Sequence, residues 1–231
     1  MTLLFVSLLI GTVAIILTHK KSPYAPEILS VHSKLKKPES VADVRLLLTM
    51  YGVRTRKAMY QETIQQWLNQ TNMQVYAVNS GGEPIGITHD RFHEFVFTQK
   101  GPFVCPTYHE SDSIMRALDH FQFPNNSIVL KMTAKYFCPE LEDLLGYVPQ
   151  KTNLVLQSRH LRREWCTEMF GMRPNTLREF MSVCSNNSDA SMEKHMYRFL
   201  FFHTGKDAVR MPKLSVTGNN KRDCGDILTY L

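Results

Sequence analysis

The stretch Ser127–Phe137, SIVLKMTAKYF, runs from an apolar segment into two lysines, a threonine and a tyrosine, and the helix-like CPELEDLLGYV of Cys138–Val148 follows it. An apolar run before a helix reads as a buried strand, which puts KMTAKYF at its carboxyl end, where open α/β sheets bind ligands. Side chains alternate along a strand, so Lys131, Thr133 and Lys135 share one face while Met132, Ala134 and Tyr136 take the other. Ammonium groups and a hydroxyl all donate to phosphate oxygens, which gives that face the chemistry of a phosphate cradle. A solvated basic strand end is the plainer reading. In either case a lysine inside an apolar strand calls for an explanation, because buried lysine is rarely unpaired.

Outward from this stretch, strand and helix signals alternate from Val44 onward. Val44–Gly52, VRLLLTMYG, suits a buried strand and leads into residues 54–71, where Ala58, Met59, Ile64, Trp67 and Leu68 recur at rough helical spacing. Met73–Gly82 predicts a strand closing on a Gly-Gly turn, and Arg91–Gln99 alternates as a strand does. Glu110–Gln122 predicts a helix, with Glu110, Ser111 and Asp112 placed to cap it and complement its dipole. A helix over Pro139–Val148, a strand over Asn153–His160 and helices from about Pro174 and over Ser191–Phe202 complete the pattern. Strands alternating with helices predict one α/β domain, residues 41–231, with a mainly parallel sheet flanked by helices.

The amino terminus differs. Thr2–Thr18 carries no charge and approaches the roughly 17-residue minimum for crossing a bilayer. No small-x-small cleavage site follows, so residues 1–18 are expected to be an uncleaved transmembrane anchor and residues 19–40 a Pro- and Lys-containing stalk. The side of the membrane stays open. Lys20 and Lys21 favour a cytoplasmic domain, whereas sequons at Asn69, Asn125 and Asn186 matter only in a secretory lumen. A net charge of +6 favours anionic partners, but the basic residues are dispersed and no recognition motif accompanies them, which argues against nucleic acid. The five cysteines form no CxxC pair, so neither a zinc site nor a disulfide framework is expected.

Several stretches carry candidate chemistry. Arg54 and Arg56 stand at the junction of the first strand and its helix, where a helix amino terminus faces phosphate. Asn79 and Ser80 end the second strand, although Asn, Ser and Gly are also ordinary turn formers. Glu168 lies near a strand-to-helix junction, and Glu193 shares a helix face with Tyr197; each is a candidate base. Arg222 sits in a late segment that is placed to close over a ligand. There is no GxGxxG, P-loop, GxSxG elbow or HExxH spacing, which removes the common dinucleotide, P-loop, α/β-hydrolase and zincin readings.

The ordered set Leu46–Leu68, Val75–Gly82, Ile128–Phe137, Glu168–Phe180, Met192–Leu200 and Lys221–Asp226 resembles a group of small glycosyltransferase-like proteins of large DNA viruses, microbial eukaryotes and bacterial polysaccharide clusters. Their middle stretch reads Lys-hydrophobic-Thr-Gly-Arg-Tyr-Phe; Lys131, Thr133, Tyr136 and Phe137 match it, with Ala134 and Lys135 in place of the Gly and Arg. The resemblance implies a GT-A-like (Rossmann-like) fold and transfer of a sugar from a nucleotide-sugar donor to a glycan, lipid or protein acceptor. Taken with the spacing above, the expected donor-facing residues are Arg54, Arg56, Asn79, Ser80, Lys131, Thr133, Lys135, Tyr136 and Arg222, and the expected base is Glu168 first, then Glu193. No DxD occurs, so no metal ligands are assigned and no cofactor is expected, with basic groups taking the leaving diphosphate. The competing expectations are a non-catalytic nucleotide-sugar or glycan binder on a degenerate transferase fold, an unrelated anchored hydrolase, and a structural membrane protein.

Overall fold

The computed structural model describes residues 27–28, 37–100, 104–158, 165–186, 190–203 and 207–211. Thr2–Thr18 and Arg222 lie outside them. Among the described residues no helix is long and apolar enough to cross a membrane.

The strands are β1 (Glu27–Ile28), β2 (Val44–Met50), β3 (Val75–Asn79), β4 (Phe92–Val96), β5 (Ile128–Thr133), β6 (Leu154–Ser158), β7 (Trp165–Met172) and β8 (Ala208–Arg210). They form one sheet in the order β1-β8-β6-β7-β5-β2-β3-β4. All neighbours run parallel except β7, which is antiparallel to both β5 and β6. The helices are α1 (Val53–Gln70), α2 (Pro106–Phe121), α3 (Leu141–Leu145), α4 (Pro174–Asn186) and α5 (Met192–His203).

The central strands are apolar on both faces because helices cover both faces. On one face Leu46, Leu48, Leu130 and Met132 pack with Ile64 and Trp67 of α1 and Leu141 of α3. On the other, Leu47, Val129 and Phe170 pack with Ile114 of α2, Phe180 of α4 and Met196 of α5. Lys131 pairs in register with Leu47 and Phe170, so it belongs to this second, α2-facing layer.

β1 and β8 are strands that the sequence pattern does not predict, and two further differences bear on the site. Trp165–Met172 is a strand, so Glu168 lies within β7 rather than at a strand-to-helix junction. The helix expected from Glu110 begins at Pro106, with the Cys105 thiol accepting from the Tyr108 amide at 3.3 Å as its cap. Glu110, Ser111 and Asp112 therefore do not cap α2. Ser111 instead donates back to the Thr107 carbonyl at 2.8 Å.

Candidate functional site

Strand β2 is the topological switch point: β3 and β4 lie to one side of it, β5 and the later strands to the other. Such a point opens a crevice above the carboxyl ends of the strands. Met50, Asn79 and Thr133 end β2, β3 and β5 at this edge. β7 runs the other way, and its Met169 pairs with Met132, which brings Glu168 level with Thr133.

The β2 end turns into α1 through Gly52, whose φ of 65° is a left-handed conformation that glycine adopts without strain. No side chain caps α1 and no acid occupies its first turn, so the positive end of this 18-residue helix faces the crevice edge. Arg54 and Arg56 are both exposed there, and Arg54 meets Glu83 at 3.0 Å. The Tyr60 hydroxyl donates to the Tyr51 carbonyl at 2.8 Å and fixes the approach to the turn.

Asn79 and Ser80 are both buried, and their polar atoms face protein. Asn79 Nδ2 donates to the Glu83 carbonyl and to Glu94 Oε1, both at 2.7 Å, while its Oδ1 accepts from the Gly81 amide at 2.9 Å. Ser80 Oγ donates to the Met50 carbonyl at 3.2 Å. Asn79 thus shapes the loop between β3 and β4.

At the β5 end, Lys131 is 1% exposed, and its Nζ lies 2.6 Å from Glu110 Oε1 and 5.4 Å from the centre of the Phe170 ring. Thr49 donates to the same Glu110 oxygen at 3.1 Å. One member of the expected cradle is therefore sunk beneath the crevice and bound to a carboxylate. Thr133 and Lys135 are half-buried, and Lys135 Nζ sits 4.7 Å over the Tyr136 ring. Tyr136 is buried, its carbonyl accepting from Trp67 Nε1 at 3.0 Å. Ala134 donates to the Thr49 carbonyl at 3.0 Å and is not among the positive-φ residues, so alanine meets no backbone penalty there.

Glu168 is half-buried in β7. Glu193 is half-buried in the first turn of α5, in the layer that covers the α2-facing side of the sheet. Glu110 is the site residue that sequence reading missed. The usable signal was Lys131 itself: a lysine in a buried strand requires an acid from a neighbouring element. Among the described residues no group of three or more His, Cys, Asp or Glu is placed to hold a metal ion. With Thr133 and Lys135 at the β5 end, these residues do not fit a divalent cation.

No protein-family model matches the chain, and no curated protein sequence matches it. Solved structures do. A glycosyltransferase involved in the glycosylation of the major capsid of PBCV-1 matches at 11% identity and a TM-score of 0.50, over 73% of this chain and 81% of that one. The Pyrobaculum calidifontis mannosyltransferase in complex with GDP-Man and Mn²⁺ matches at 13% identity and a TM-score of 0.53, over 94% of this chain and 65% of that one. The 4-diphosphocytidyl-2C-methyl-D-erythritol synthase of Anaerococcus prevotii matches at 9% identity and a TM-score of 0.50, over 74% of this chain and 86% of that one. Likeness at such identities is a likeness of fold: the chain has a GT-A-like mixed α/β sheet with flanking helices, as these structures do.

Proposed function

We propose that this protein is a glycosyltransferase that moves a sugar from a nucleotide-sugar donor to a glycan, lipid or protein acceptor, held at a membrane by residues 2–18. The observation that carries the reading is the convergence at the switch point: the uncapped amino terminus of α1, with Arg54 and Arg56, lies across the crevice edge from Thr133 and Lys135 at the end of β5. Helix amino termini and cationic donors are what a diphosphate requires. The nucleoside then lies over the ends of β2 and β3, and the sugar toward β7.

In an inverting transfer the acceptor hydroxyl oxygen attacks the anomeric carbon, a carboxylate takes its proton, and the nucleoside diphosphate departs. Glu168, level with Thr133, is the assigned base, and Glu193 is the second choice. Cationic side chains and the helix dipole stabilise the departing charge because they are aimed at it before the reaction starts.

The test is a thermal-shift series on the full chain in detergent with UDP-, GDP-, CMP- and dTDP-sugars, each with Mn²⁺ and with EDTA. A ligand that binds the native state raises its stability by RT ln(1 + [L]/Kd). A shift with one nucleotide class, followed by transfer that Glu168→Gln or Glu193→Gln abolishes in a folded protein, supports the proposal. Binding without any transfer would point to a non-catalytic nucleotide-sugar binder, and no shift with any donor would remove the reading.

A further inference from the structure

The sequence offers no reason for a lysine in the middle of β5, and the structure supplies one that reaches beyond packing. Lys131 is 1% exposed while the Glu110 side chain it meets is 29% exposed, so the pair bridges the core and the crevice. Thr49, at the carboxyl end of β2, makes the third corner. Both contacts to the carboxylate fall on Oε1, which leaves Oε2 as the oxygen able to meet a ligand. The buried lysine fixes the carboxylate's position, so little side-chain freedom remains to be lost on binding.

We infer that Glu110, oriented by Lys131 and Thr49, binds a vicinal hydroxyl pair of the donor at the switch point. A carboxylate accepts hydrogen bonds from hydroxyls and repels phosphate. That chemistry divides the crevice: the diphosphate goes to the α1 terminus and Lys135, and a diol goes to Glu110. Nucleotide-sugars carry two diols, on the ribose and on the transferred sugar, and either satisfies the same acceptor. The inference rests on the donor-binding reading above and names which part of the donor this carboxylate reads.

Calorimetric titration of the full chain in detergent tests it, first with UDP-glucose and GDP-mannose. The nucleoside diphosphate of whichever binds follows, then its 2′-deoxy counterpart. The same series is run on a Glu110→Gln, Lys131→Met double variant, which removes both charges of this pair at near-constant volume. The expected result is a roughly 10- to 100-fold loss of affinity in the variant, the scale of a hydrogen bond to a charged group. A loss seen with the ribonucleotide and absent with its 2′-deoxy form makes the ribose the ligand. A loss confined to the sugar-bearing compound makes the sugar the ligand.

Equal affinities for every probe in wild type and variant would overturn the inference and leave donor binding standing. Failure of wild type to bind any nucleotide-sugar would remove the donor reading and this inference together. If circular dichroism shows the variant unfolded, wild type decides by itself. Equal affinity for ribo- and 2′-deoxy diphosphate, and for the nucleotide-sugar and its 2-deoxy-sugar form, overturns the inference; a loss in either comparison supports it.

Discussion

Trp67 Nε1 donates to the Tyr136 carbonyl at 3.0 Å, and the same indole meets the Phe137 ring edge-on at 4.8 Å between centroids. The indole is fully buried, so one side chain of α1 fastens the loop that follows β5 to the helix that follows β2. The two walls of the crevice are tied together from below.

Trp67→Phe keeps an aromatic ring but removes the indole donor to the Tyr136 carbonyl and leaves unfilled space. Losing that hydrogen bond costs about 1 kcal/mol, and the cavity adds to that. For a domain of this size, each kcal/mol lowers Tm by roughly 2–4 °C. The expected result is a fall in Tm together with weaker binding of whichever nucleotide-sugar the wild type prefers. Calorimetry and titration on one sample check it; an unchanged Tm would mean that the contact does not hold the loop.

Asn79 and Ser80 read from the sequence as donor ligands, and the structure turns both toward the protein. Asn79→Ala leaves the Glu83 carbonyl, Glu94 and the Gly81 amide each short of a partner and should cost about 3 kcal/mol. Ser80→Ala removes one hydroxyl donor to the Met50 carbonyl and should cost about 1 kcal/mol. Urea denaturation gives both values. If Asn79→Ala instead abolished nucleotide-sugar binding at unchanged stability, its amide would belong to the donor site and not to the loop.

Much of the α/β pattern was legible because β2, β3 and β5 are short apolar runs separated by helix-length segments, and a strand buried on both faces has that signature. β7 was not. Arg163, Glu164, Glu168 and Gly171 interrupt REWCTEMFGM, and what makes part of it a strand is pairing with β5 and β6, which no local pattern reports. The start of α2 was misplaced for a chemical reason: its cap is a thiol, whereas the acids of Glu110–Asp112 imitate a cap from inside the helix. The error carried into the site. With Glu110 assigned to the helix end, Lys131 had no visible partner and looked like an open phosphate ligand.

Gly171 shows how closely β7 is seated. A Cβ added there would lie 2.9 Å from Ile128 Cγ2, 3.0 Å from Leu130 Cδ1 and 3.3 Å from Val155 Cβ. The neighbours belong to β5 and β6, so strands on both sides would have to move. Gly171→Ala should destabilise by about 1–3 kcal/mol, the usual range for overpacking. Combining it with Ile128→Ala, which removes Cγ2 from the clash, should give a total loss smaller than the sum of the two separate losses. A double-mutant cycle from denaturation curves measures this, and strict additivity would mean that Ile128 is not what resists the added carbon.

The cysteines supply a prediction in which pH works through burial. Cys138 and Cys184 are both buried, and burial pushes each thiol up to about 12, with Glu140 adding to the rise at Cys138 and Glu110 at Cys184. Thiolate is the reactive form, so at pH 8 about one molecule in 10⁴ carries it at either position. N-ethylmaleimide at that pH should modify the half-exposed Cys105 before Cys138 and Cys184, which stay intact until the chain unfolds. Peptide mass mapping distinguishes them, and labelling of Cys138 at the rate of Cys105 in folded protein would contradict its burial. The same shift fixes a sign for stability. The folded thiols hold protons that the unfolded ones release from about pH 8.5, so each contributes stability below that pH and loses it as pH rises toward 12, at about 1.4 kcal/mol per unit. Cys138→Ala should therefore flatten the alkaline limb of the stability curve and leave its slope between pH 6 and 8 unchanged. An alkaline limb identical in wild type and variant would show that the Cys138 thiol titrates alike in the folded and unfolded chain.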